Sequence, residues 1–284
     1  MTIDFIVFLQ SLANDTVIAF FNFISFIGEE STYIVVLAIW YFAINKKLGQ
    51  LFALTLGITA LVNNSLKEFF SFQRPFEAYP DLVTNYRPDT STGHSFPSGH
   101  TQNFSTMLFA FAFVYKKWMI GVAILFTVLM MFSRMFLGVH FLEDVLVAAV
   151  LGILIAFALV KLYHKYGISV IKYIAVGLLI LSGILLFIFE SDDFFKSYGL
   201  LLGLTIGIIY EDKYVNFSLS VSTIKKIMRV IIGLVLLLGL QVGLKELFAV
   251  LFPSSISITN VIRYFLIGFI GFGLYPKTFK IFHW

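Results

Sequence analysis

Residues 143–163 read EDVLVAAVLGILIAFALVKLY. Long apolar runs like this one, separated by short polar segments, occur along most of the chain. The apolar run of residues 143–163 comes close to the ~20 residues with which an α-helix crosses a bilayer. Charged side chains stand only at its two ends, where Glu143 and Asp144 precede the run and Lys161 follows it. The stretch therefore predicts a transmembrane helix with one acidic and one basic end.

The composition extends this prediction to the whole chain. Hydrophobic residues make up 59% of the 284 residues and charged residues only 13%, whereas soluble domains carry about a quarter charged residues. We predict an all-α fold, a polytopic membrane helical bundle of about nine transmembrane helices. Residues 3–27 are apolar but broken by Asn14-Asp15, and we expect a short interfacial or re-entrant helical pair there. The candidate spans lie near residues 30–45, 49–66, 101–115, 118–137, 143–163, 171–189, 197–210, 229–250 and 258–275.

Basic residues collect on one side of these spans. Lys46-Lys47, Lys116-Lys117 and the cluster from Lys213 to Arg229 fall there, and Glu29-Glu30 falls on the other side. The positive-inside rule places the lysine side in the cytoplasm, the N-terminus outside and the C-terminus inside. Because the net charge of +4 is scattered between apolar runs, topology explains it and no nucleic-acid partner is expected. The chain has no cysteine, which excludes disulfides and thiolate metal sites.

One connection on the outer side is long and polar, residues 67–100, and it begins with KEFFSFQRP. Lys67 and Arg74 are seven residues apart, so on a helix they share one face. Pro75 disfavours helix at the residue before it, which predicts that the helix ends at Arg74. Two cations on one face are either snorkelling side chains at the end of a span or a clamp for an anion.

The same loop ends in GHSFPSGH, residues 93–100, directly before an apolar run. Ser98 is suited to cap a helix that starts here, and Gly99 permits close approach of the backbone. The unpaired N–H groups of a helix N-terminus favour a bound phosphate, and His100 would lie beside it in the first turn. An ordinary serine cap followed by a solvated histidine is the alternative for this stretch.

A third polar stretch, SRMFLGVHFLED, spans residues 133–144 between two predicted helices. His140 and Asp144 are four residues apart, which puts both on one helical face and lets the carboxylate fix the imidazole tautomer. In an unbroken helix Arg134 and His140 would point about 120° apart, so we predict a break at Gly138 that brings both into one pocket. A surface His–Asp pair is the alternative.

The three stretches lie on the same outer side of the predicted topology. Together they bring three cations, two histidines, one carboxylate and a helix N-terminus to one membrane face. Ionisable groups near a bilayer are costly, which marks them as functional candidates. Their combination indicates a site for a phosphate group.

In these three motifs the sequence resembles the type 2 phosphatidic acid phosphatase superfamily of membrane phosphatases. The matching residues are, in chain order, Lys67 with Arg74-Pro75, Pro97 to His100, and Ser133-Arg134 with His140 and Asp144. The layout of about nine crossings is similar to the glucose-6-phosphatase and sphingoid-phosphate phosphatase branches. The resemblance implies a membrane phosphatase core in residues 1–165 and additional transmembrane helices of unassigned role in residues 166–284.

The resemblance also implies roles for these residues. His140 would be the nucleophile that forms a phosphohistidine, with Asp144 orienting its ring. His100 would protonate the leaving oxygen and then activate water as a base. Because three cations can neutralise the phosphate, neither a metal nor another cofactor is expected. The groups that would hold the phosphoryl oxygens are Lys67, Arg74, Arg134, Ser98 and Gly99.

A site that faces the outer leaflet suits a lipid phosphate arriving laterally from the surrounding membrane lipids. Polyprenyl diphosphate, phosphatidate, phosphatidylglycerophosphate and sphingoid phosphates all fit this description, and a soluble sugar phosphate fits the branch with about nine helices. We expect the protein in a bacterial cell membrane with its site on the extracytoplasmic face. Undecaprenyl diphosphate is the first candidate there.

Three other functions use the same residues or the same helices. A lipid phosphotransferase would pass the phosphoryl group from His140 to an alcohol. A zinc hydrolase would use His94, His100, His140 and Asp144, although the flanking cations disfavour a bound metal. A transporter would bind an anionic substrate in the cationic cavity, which would explain residues 166–284 but leaves the His140–Asp144 pair without a role.

The remaining polar groups are expected to lie away from the chemistry. His94 is interpreted as a solvated loop histidine, with a role in orienting the site or selecting substrate as the alternative. Arg87-Pro88 repeats the Arg-Pro dipeptide without an upstream lysine and is interpreted as loop. Asp192-Asp193 is interpreted as a solvated turn.

Overall fold

The computed structural model describes residues 2–252, 256–282 and 284. Its helices are, in chain order, α1 Thr2–Ser11, α2 Asp15–Ile27, α3 Glu30–Ile39, α4 Lys46–Phe70, α5 Pro75–Ala78, α6 Gly99–Val114, α7 Trp118–Phe136, α8 Leu142–Tyr166, α9 Ile168–Gly183, α10 Asp192–Tyr210, α11 Thr223–Leu251, α12 Ile256–Phe269 and α13 Tyr275–Ile281. Wider π-helical turns continue α3, α10 and α12 over Trp40–Ile44, Glu211–Val215 and Ile270–Leu274. The predicted all-α membrane fold is confirmed over these residues.

Six helical segments in the described part of the chain are long and apolar enough to cross a membrane. A pair of helices, Asp15–Ile27 and Glu30–Ile44, is bent by 48° and would add a seventh if the two form one span. The estimate of about nine crossings is therefore not confirmed. The difference arises because α6 has only 16 residues and α4 carries polar side chains along its length. The six segments are Trp118–Phe136, Leu142–Tyr166, Ile168–Phe187, Asp192–Val215, Thr223–Leu251 and Ile258–Ile281.

The N-terminal segment folds as the predicted pair of short helices, α1 and α2. Asn14 caps α2, because its side-chain oxygen accepts a hydrogen bond from the Val17 N–H at 3.1 Å. Gln10 of α1 attaches the pair to the helices that follow. Its amide donates to the carbonyl oxygens of Thr84 at 2.7 Å and Phe136 at 3.0 Å.

The chain forms two compact units. The first contains Met1–Thr32 and Val62–Lys161, and the second contains Tyr33–Leu61 and Leu162–Trp284. All three phosphate-site motifs lie in the first unit. The division at residue 165 that the resemblance implies stays a prediction. The core of the first unit around these motifs consists of Ile6, Leu9, Val83, Met135, Phe136, Leu137, Val139 and Val145.

Close packing of α10 on α12 characterises the second unit. A Cβ atom at Gly199 would lie 2.3 Å from the carbonyl oxygen of Val261, and one at Gly203 would lie 2.2 Å from that of Phe265. These distances are too short for any side chain, so glycine is required at both positions. Small residues that bring backbones together in this way are common between membrane helices.

Charged side chains of the second unit pair with each other. Lys46 Nζ lies 2.9 Å from Glu211 Oε1, and Lys47 Nζ lies 2.8 Å from Asp212 Oδ1. Asp192 and Asp193, predicted as a solvated turn, instead form the first turn of α10, where a helix favours acidic side chains.

Candidate active site

The first motif begins on α4, but the helix ends before the predicted residue. α4 stops at Phe70, because Ser71 takes a left-handed conformation with φ of 52°. Arg74 is extended, as the following Pro75 requires, and it precedes α5. The prediction that Lys67 and Arg74 share a helical face is therefore wrong.

Both cations nevertheless contact the same short segment of main chain, residues 92–94. Lys67 Nζ donates a hydrogen bond to the carbonyl oxygen of His94. Arg74 Nη2 donates to Thr92 O at 2.7 Å, and its Nε donates to Gly93 O at 2.9 Å. The loop that separates the first two motifs is thus folded onto the cations of the first motif.

The second motif forms the start of α6. Ser98 is the N-cap residue, as predicted, yet its side chain makes no capping hydrogen bond to the helix and instead accepts one from the Thr101 hydroxyl at 3.1 Å. A Cβ atom at Gly99 would lie 3.2 Å from Asn63 Oδ1 of α4 and 3.9 Å from Lys67 Cε. Glycine therefore allows the N-terminus of α6, with its first-turn N–H groups, to approach the first motif closely.

The predicted break in the third motif is present. α7 ends at Phe136, α8 begins at Leu142, and Gly138 between them has φ of +75°. A Cβ atom at Gly138 would lie 2.3 Å from the carbonyl oxygen of Thr84. The turn brings Arg134 and His140 into the interior of the same unit, where both are buried.

Hydrogen bonds join the third motif to each of the other two, and close packing joins the first to the second. Arg74 Nη1 donates to the Val139 carbonyl at 3.0 Å and lies 3.4 Å from His140 Nε2, which joins the first motif to the third. The Ser98 N–H donates to the Asp144 carbonyl at 3.2 Å, which joins the second motif to the third. The close approach of Gly99 to Lys67 joins the first to the second.

The two nitrogens of His140 face different partners. Nδ1 lies 3.4 Å from Asp144 Oδ2, on the carboxylate side of the ring. Nε2 lies on the side of the Arg74 guanidinium. A carboxylate at Nδ1 favours the tautomer that carries its proton there, which leaves the Nε2 lone pair available for chemistry.

Asp144 is itself held by hydrogen bonds. Its Oδ2 accepts from the Ser95 hydroxyl at 2.5 Å and from the Phe141 N–H at 2.8 Å. Ser95 is fully buried, and its hydroxyl also lies 3.4 Å from His140 Nδ1. Ser95 could not be identified from the sequence, because a serine between two histidines has no spacing signal that relates it to a carboxylate 49 residues later.

Arg134 and His100 contain buried nitrogen atoms that have no hydrogen-bond partner among the described residues. Arg134 is fully buried, and its Nε and Nη2 have none. Nε2 of His100 has none either. Leaving donors of a buried guanidinium unpaired is costly, and sites of this kind usually bind a ligand.

The surroundings of His140 determine its charge. Burial lowers the pKa of His140 well below its ordinary value, and the positive charges of Arg74, Arg134 and Lys67 lower it further. The ring is therefore neutral near pH 7. A neutral imidazole is the form that can act as a nucleophile.

His94 and Arg87 both lie in the long loop between the first two motifs, as the sequence predicted. The His94 ring is partly exposed and lies 3.9 Å from a Glu68 carboxylate oxygen. Arg87 forms an ion pair with Glu29 and donates to Asn22 Oδ1 at 3.0 Å. Over residues 2–252, 256–282 and 284, no three His, Asp or Glu side chains cluster as a metal site would require.

Comparison with known proteins identifies two matching family profiles. The PAP2 superfamily profile matches residues 48–168. The profile described as PAP2 superfamily phosphatase, transmembrane extension, matches residues 195–284. The first match contains all the residues of the three motifs.

Three characterised proteins are similar to parts of the chain. Undecaprenyl-diphosphatase from Sulfolobus acidocaldarius is 31% identical over 166 residues, which cover 56% of this chain and 79% of that protein. Phosphatidylglycerophosphatase B from Bacillus subtilis is 34% identical over 119 residues, which cover 38% of this chain and 55% of that protein. The crystal structure of LpxE from Aquifex aeolicus has 25% sequence identity and a TM-score of 0.50, and the match covers 56% of this chain and 94% of LpxE.

Proposed function

The chain belongs to the PAP2 superfamily and is a membrane lipid phosphatase, and we propose that it hydrolyses a phosphomonoester or diphosphate of an amphiphilic lipid through a phosphohistidine. One observation carries the mechanistic part of this proposal. The buried His140 has Asp144 at Nδ1 and the Arg74 guanidinium at Nε2. This arrangement is suited to a neutral imidazole that attacks phosphorus and becomes positively charged as it does so.

The phosphoryl group would lie between the cations and the start of α6. Arg134 has two donor nitrogens, Nε and Nη2, for its oxygens. Lys67 lies beside the backbone of Gly99, and the helix N-terminus at Ser98 adds N–H groups and a positive dipole end. Fixed donors of this kind stabilise the charge that is spread over the phosphoryl oxygens in the transition state.

The reaction would take place in two steps. In the first, the Nε2 lone pair of His140 forms a bond to phosphorus while the bond to the leaving oxygen breaks, and His100 donates a proton to that oxygen. In the second, His100 removes a proton from water, whose oxygen attacks phosphorus and breaks the P–N bond. Phosphate and free His140 result, and Asp144 stabilises the positive ring in between.

An apolar surface beside the cations supports a lipid substrate. Phe69, Phe70, Phe72 and Phe96 form one cluster of ring contacts, which we call the aromatic cluster. The first three rings are exposed, Phe69 to 75%. The backbone of Phe72 accepts a hydrogen bond from Ser95 N–H at 2.8 Å, so the cluster adjoins the residues around Asp144. A phosphate on an apolar chain matches this combination of exposed aromatic rings and buried cations.

One comparison favours polyprenyl diphosphate as the first substrate to test. The relative that the chain covers to 79% of its length is an undecaprenyl-diphosphatase. Phosphatidylglycerophosphate is the second choice, because a shorter match joins the chain to a phosphatidylglycerophosphatase. Phosphatidate and sphingoid phosphates share the same chemistry.

We further propose that the site opens on the extracytoplasmic face of a bacterial cell membrane. Lys116 and Lys117 precede α7, whereas Arg134 lies at its other end. Lys165 lies in the last turn of α8, whereas Asp144 lies in its first turn. The positive-inside rule then puts the site outside, with the N-terminus outside and the C-terminus in the cytoplasm.

The test of this proposal is phosphate release by detergent-purified wild type and His140→Ala. The substrates are a polyprenyl diphosphate, phosphatidylglycerophosphate, phosphatidate, a sphingoid phosphate and glucose 6-phosphate, each with EDTA and with orthovanadate. We expect release that survives EDTA, stops with vanadate and falls at least about a thousandfold in His140→Ala. The matched control is His94→Ala, which removes a partly exposed ring from the same loop and should retain wild-type release.

Each alternative function predicts a different result in this assay. A zinc hydrolase would lose activity in EDTA. A phosphotransferase would release little phosphate until an alcohol acceptor is added, and the phosphorylated alcohol would then accumulate. A transporter would take up the phosphorylated compound in proteoliposomes without cleaving it. Full turnover by folded His140→Ala would remove the phosphohistidine mechanism.

A further inference from the structure

A segment outside the match to the PAP2 superfamily profile contacts the third motif. Residues 21–29 end α2 and form the turn before α3, and the profile match begins only at residue 48. We call residues 21–29 the N-terminal wall. The Phe21 carbonyl accepts a hydrogen bond from the Ser133 hydroxyl at 2.8 Å, which fixes the wall to the end of α7.

The wall also contacts the guanidinium of Arg134. Arg134 Nη1 donates a hydrogen bond to the Ser25 hydroxyl oxygen, and both side chains are fully buried. Nε and Nη2 of the same guanidinium have no partner among the described residues. A guanidinium is planar and rigid, so a hydrogen bond at one nitrogen determines the direction of the others.

The end of the wall lies against His100. A Cβ atom at Gly28 would lie 3.5 Å from His100 Cδ2 and 2.7 Å from Met130 Cε. His100 is the residue whose Nε2 is buried without a partner. The wall therefore adjoins Arg134 and His100, two side chains with buried nitrogens that have no partner among the described residues.

Arg87 of the long loop binds the wall near both of its ends, at Asn22 and Glu29. Glu29 accepts a hydrogen bond from Arg87 Nη2, and Asn22 Oδ1 accepts one from Arg87 Nη1 at 3.0 Å. Charge-assisted bonds of this type are among the stronger hydrogen bonds in proteins. Arg87, predicted from the sequence to be an ordinary loop residue, thus connects the wall to the long loop between the first two motifs.

We propose that Ser25 is a positioning residue for phosphate recognition, whose hydroxyl fixes the Arg134 guanidinium so that Nε and Nη2 bind the phosphoryl oxygens. The inference rests on the proposed function for the nature of the anion. It extends the active site to a helix that the three sequence motifs do not include. It also gives the N-terminal helical pair a role in phosphate binding.

A double-mutant cycle on the full chain tests the proposal. Isothermal titration calorimetry with orthophosphate would measure the affinity of wild type, Ser25→Ala, Arg134→Ala and the double variant. We expect Ser25→Ala to bind orthophosphate about tenfold more weakly, the loss typical of a hydrogen bond to a charged group. In the Arg134→Ala background the same substitution should have no further effect, because the two residues act as one unit.

Two further variants separate positioning from folding. Ser25→Thr keeps the hydroxyl and should keep the affinity within about twofold. Ser105→Ala removes a fully buried hydroxyl of the same unit that donates to Gln102 O at 3.0 Å, and it should leave the affinity unchanged. If Ser25→Ala does not purify as a folded protein, Ser25→Cys, whose thiol is a weaker acceptor, replaces it in the same cycle.

The outcomes distinguish this inference from the proposed function. Wild-type affinity in Ser25→Ala, or an equal tenfold loss when Arg134 is already alanine, would overturn the positioning role. A wild type that neither binds orthophosphate nor releases it from any substrate would overturn the proposed function instead. The KM and kcat of a soluble phosphomonoester provide a second readout, in which Ser25→Ala should raise KM and change kcat by less than about twofold.

Discussion

At the scale of single residues, the charges around His140 determine what this histidine can do. It is buried close to Arg74, and the positive charges of Arg134 and Lys67 also act on it. Burial and these charges lower the pKa of His140, which keeps the ring neutral. The same groups that would attract the phosphate therefore also keep the nucleophile in its reactive form.

Acidification should destabilise the protein through this residue. Because the pKa of His140 is lower in the folded state than the ~6.5 of an unfolded chain, the unfolded state binds the proton more readily. The stability from a neutral His140 is complete above that value and is lost as the pH falls below it. We expect the Tm of wild type to fall more between about pH 7.5 and about pH 5.5 than the Tm of His140→Asn.

Thermal unfolding in detergent, followed by tryptophan fluorescence, provides this measurement. His94→Asn is the control for removing a histidine, because it takes a partly exposed ring from the same unit and leaves His140 in place. Parallel pH dependence in wild type and His140→Asn would show that the His140 environment does not shift its protonation.

Several residues of the site could be predicted from the sequence, whereas those that support them could not. Lys67, His100 and His140 are recognisable because ionisable side chains are conspicuous in an apolar chain. Ser95 and Ser25 are small polar residues whose importance depends on a partner more than 40 residues away, Asp144 or Arg134. Local spacing contains no information about contacts of that range.

At the scale of elements, the break between α7 and α8 was predictable and the end of α4 was not. The break followed from a requirement that Arg134 and His140 share a pocket, and Gly138 was the residue that permits it. Pro75 pointed to Arg74 as the end of α4, but a local turn at Ser71 ends the helix first. The Ser71 hydroxyl bonds to Glu68 O at 2.8 Å, a local alternative to helix that serine offers.

Gly138→Ala should distort the candidate site and destabilise the fold. The residue has φ of +75°, and a Cβ atom would lie 2.3 Å from Thr84 O, so the turn must move. We expect a loss of about 2–4 kcal/mol in the free energy of unfolding and at least a tenfold fall in kcat/KM. Gly121→Ala lies within α7, and no atom of the described residues is within 4 Å of the added Cβ, so it should leave both unchanged or raise stability slightly.

The Gly138 prediction is checked by chemical denaturation in detergent together with phosphate release. Wild-type stability in Gly138→Ala would mean that the α7–α8 turn adapts without strain. Loss of stability with unchanged kcat/KM would mean that the turn does not determine the position of His140.

The aromatic cluster should affect the KM of lipid substrates and not the KM of soluble ones. Phe69 and Phe72 are exposed rings next to the cations, so their replacement removes apolar contact without altering buried groups. We expect the double variant Phe69→Ser/Phe72→Ser to raise the KM of a polyprenyl diphosphate about tenfold, at about 1–2 kcal/mol for the lost apolar area. The KM of a soluble phosphomonoester should not change.

Phe187→Ser is the matched control for the aromatic cluster, because its ring is 91% exposed and belongs to the second unit. Equal changes in KM for the lipid and the soluble ester would indicate a distorted phosphate site. Unchanged KM for both would leave the cluster without a part in substrate binding.

At the scale of the whole molecule, the sequence predicted the membrane class, and its division at residue 165 stays a prediction. The motifs end near residue 165, which suggested a boundary there. In the structure, residues Tyr33–Leu61 belong to the same unit as the C-terminal helices. Tyr41 links Tyr33–Leu61 to the C-terminal helices of this unit. Its hydroxyl donates to Phe272 O at 2.9 Å, and its ring stacks on that of Phe272. Apolar helices have no pattern that specifies such partners in advance.

The orientation in the membrane gives the last prediction. The proposed topology puts Asp81 of the long loop outside and Lys117, at the start of α7, in the cytoplasm. Both residues are exposed, and the chain has no cysteine, so a single introduced cysteine is the only thiol. In intact cells a membrane-impermeant maleimide should label Asp81→Cys and not Lys117→Cys, whereas permeabilised cells should label both. Labelling of Lys117→Cys alone in intact cells would contradict the proposed topology and place the phosphatase site on the cytoplasmic face. The lipid phosphates would then have to come from the inner leaflet.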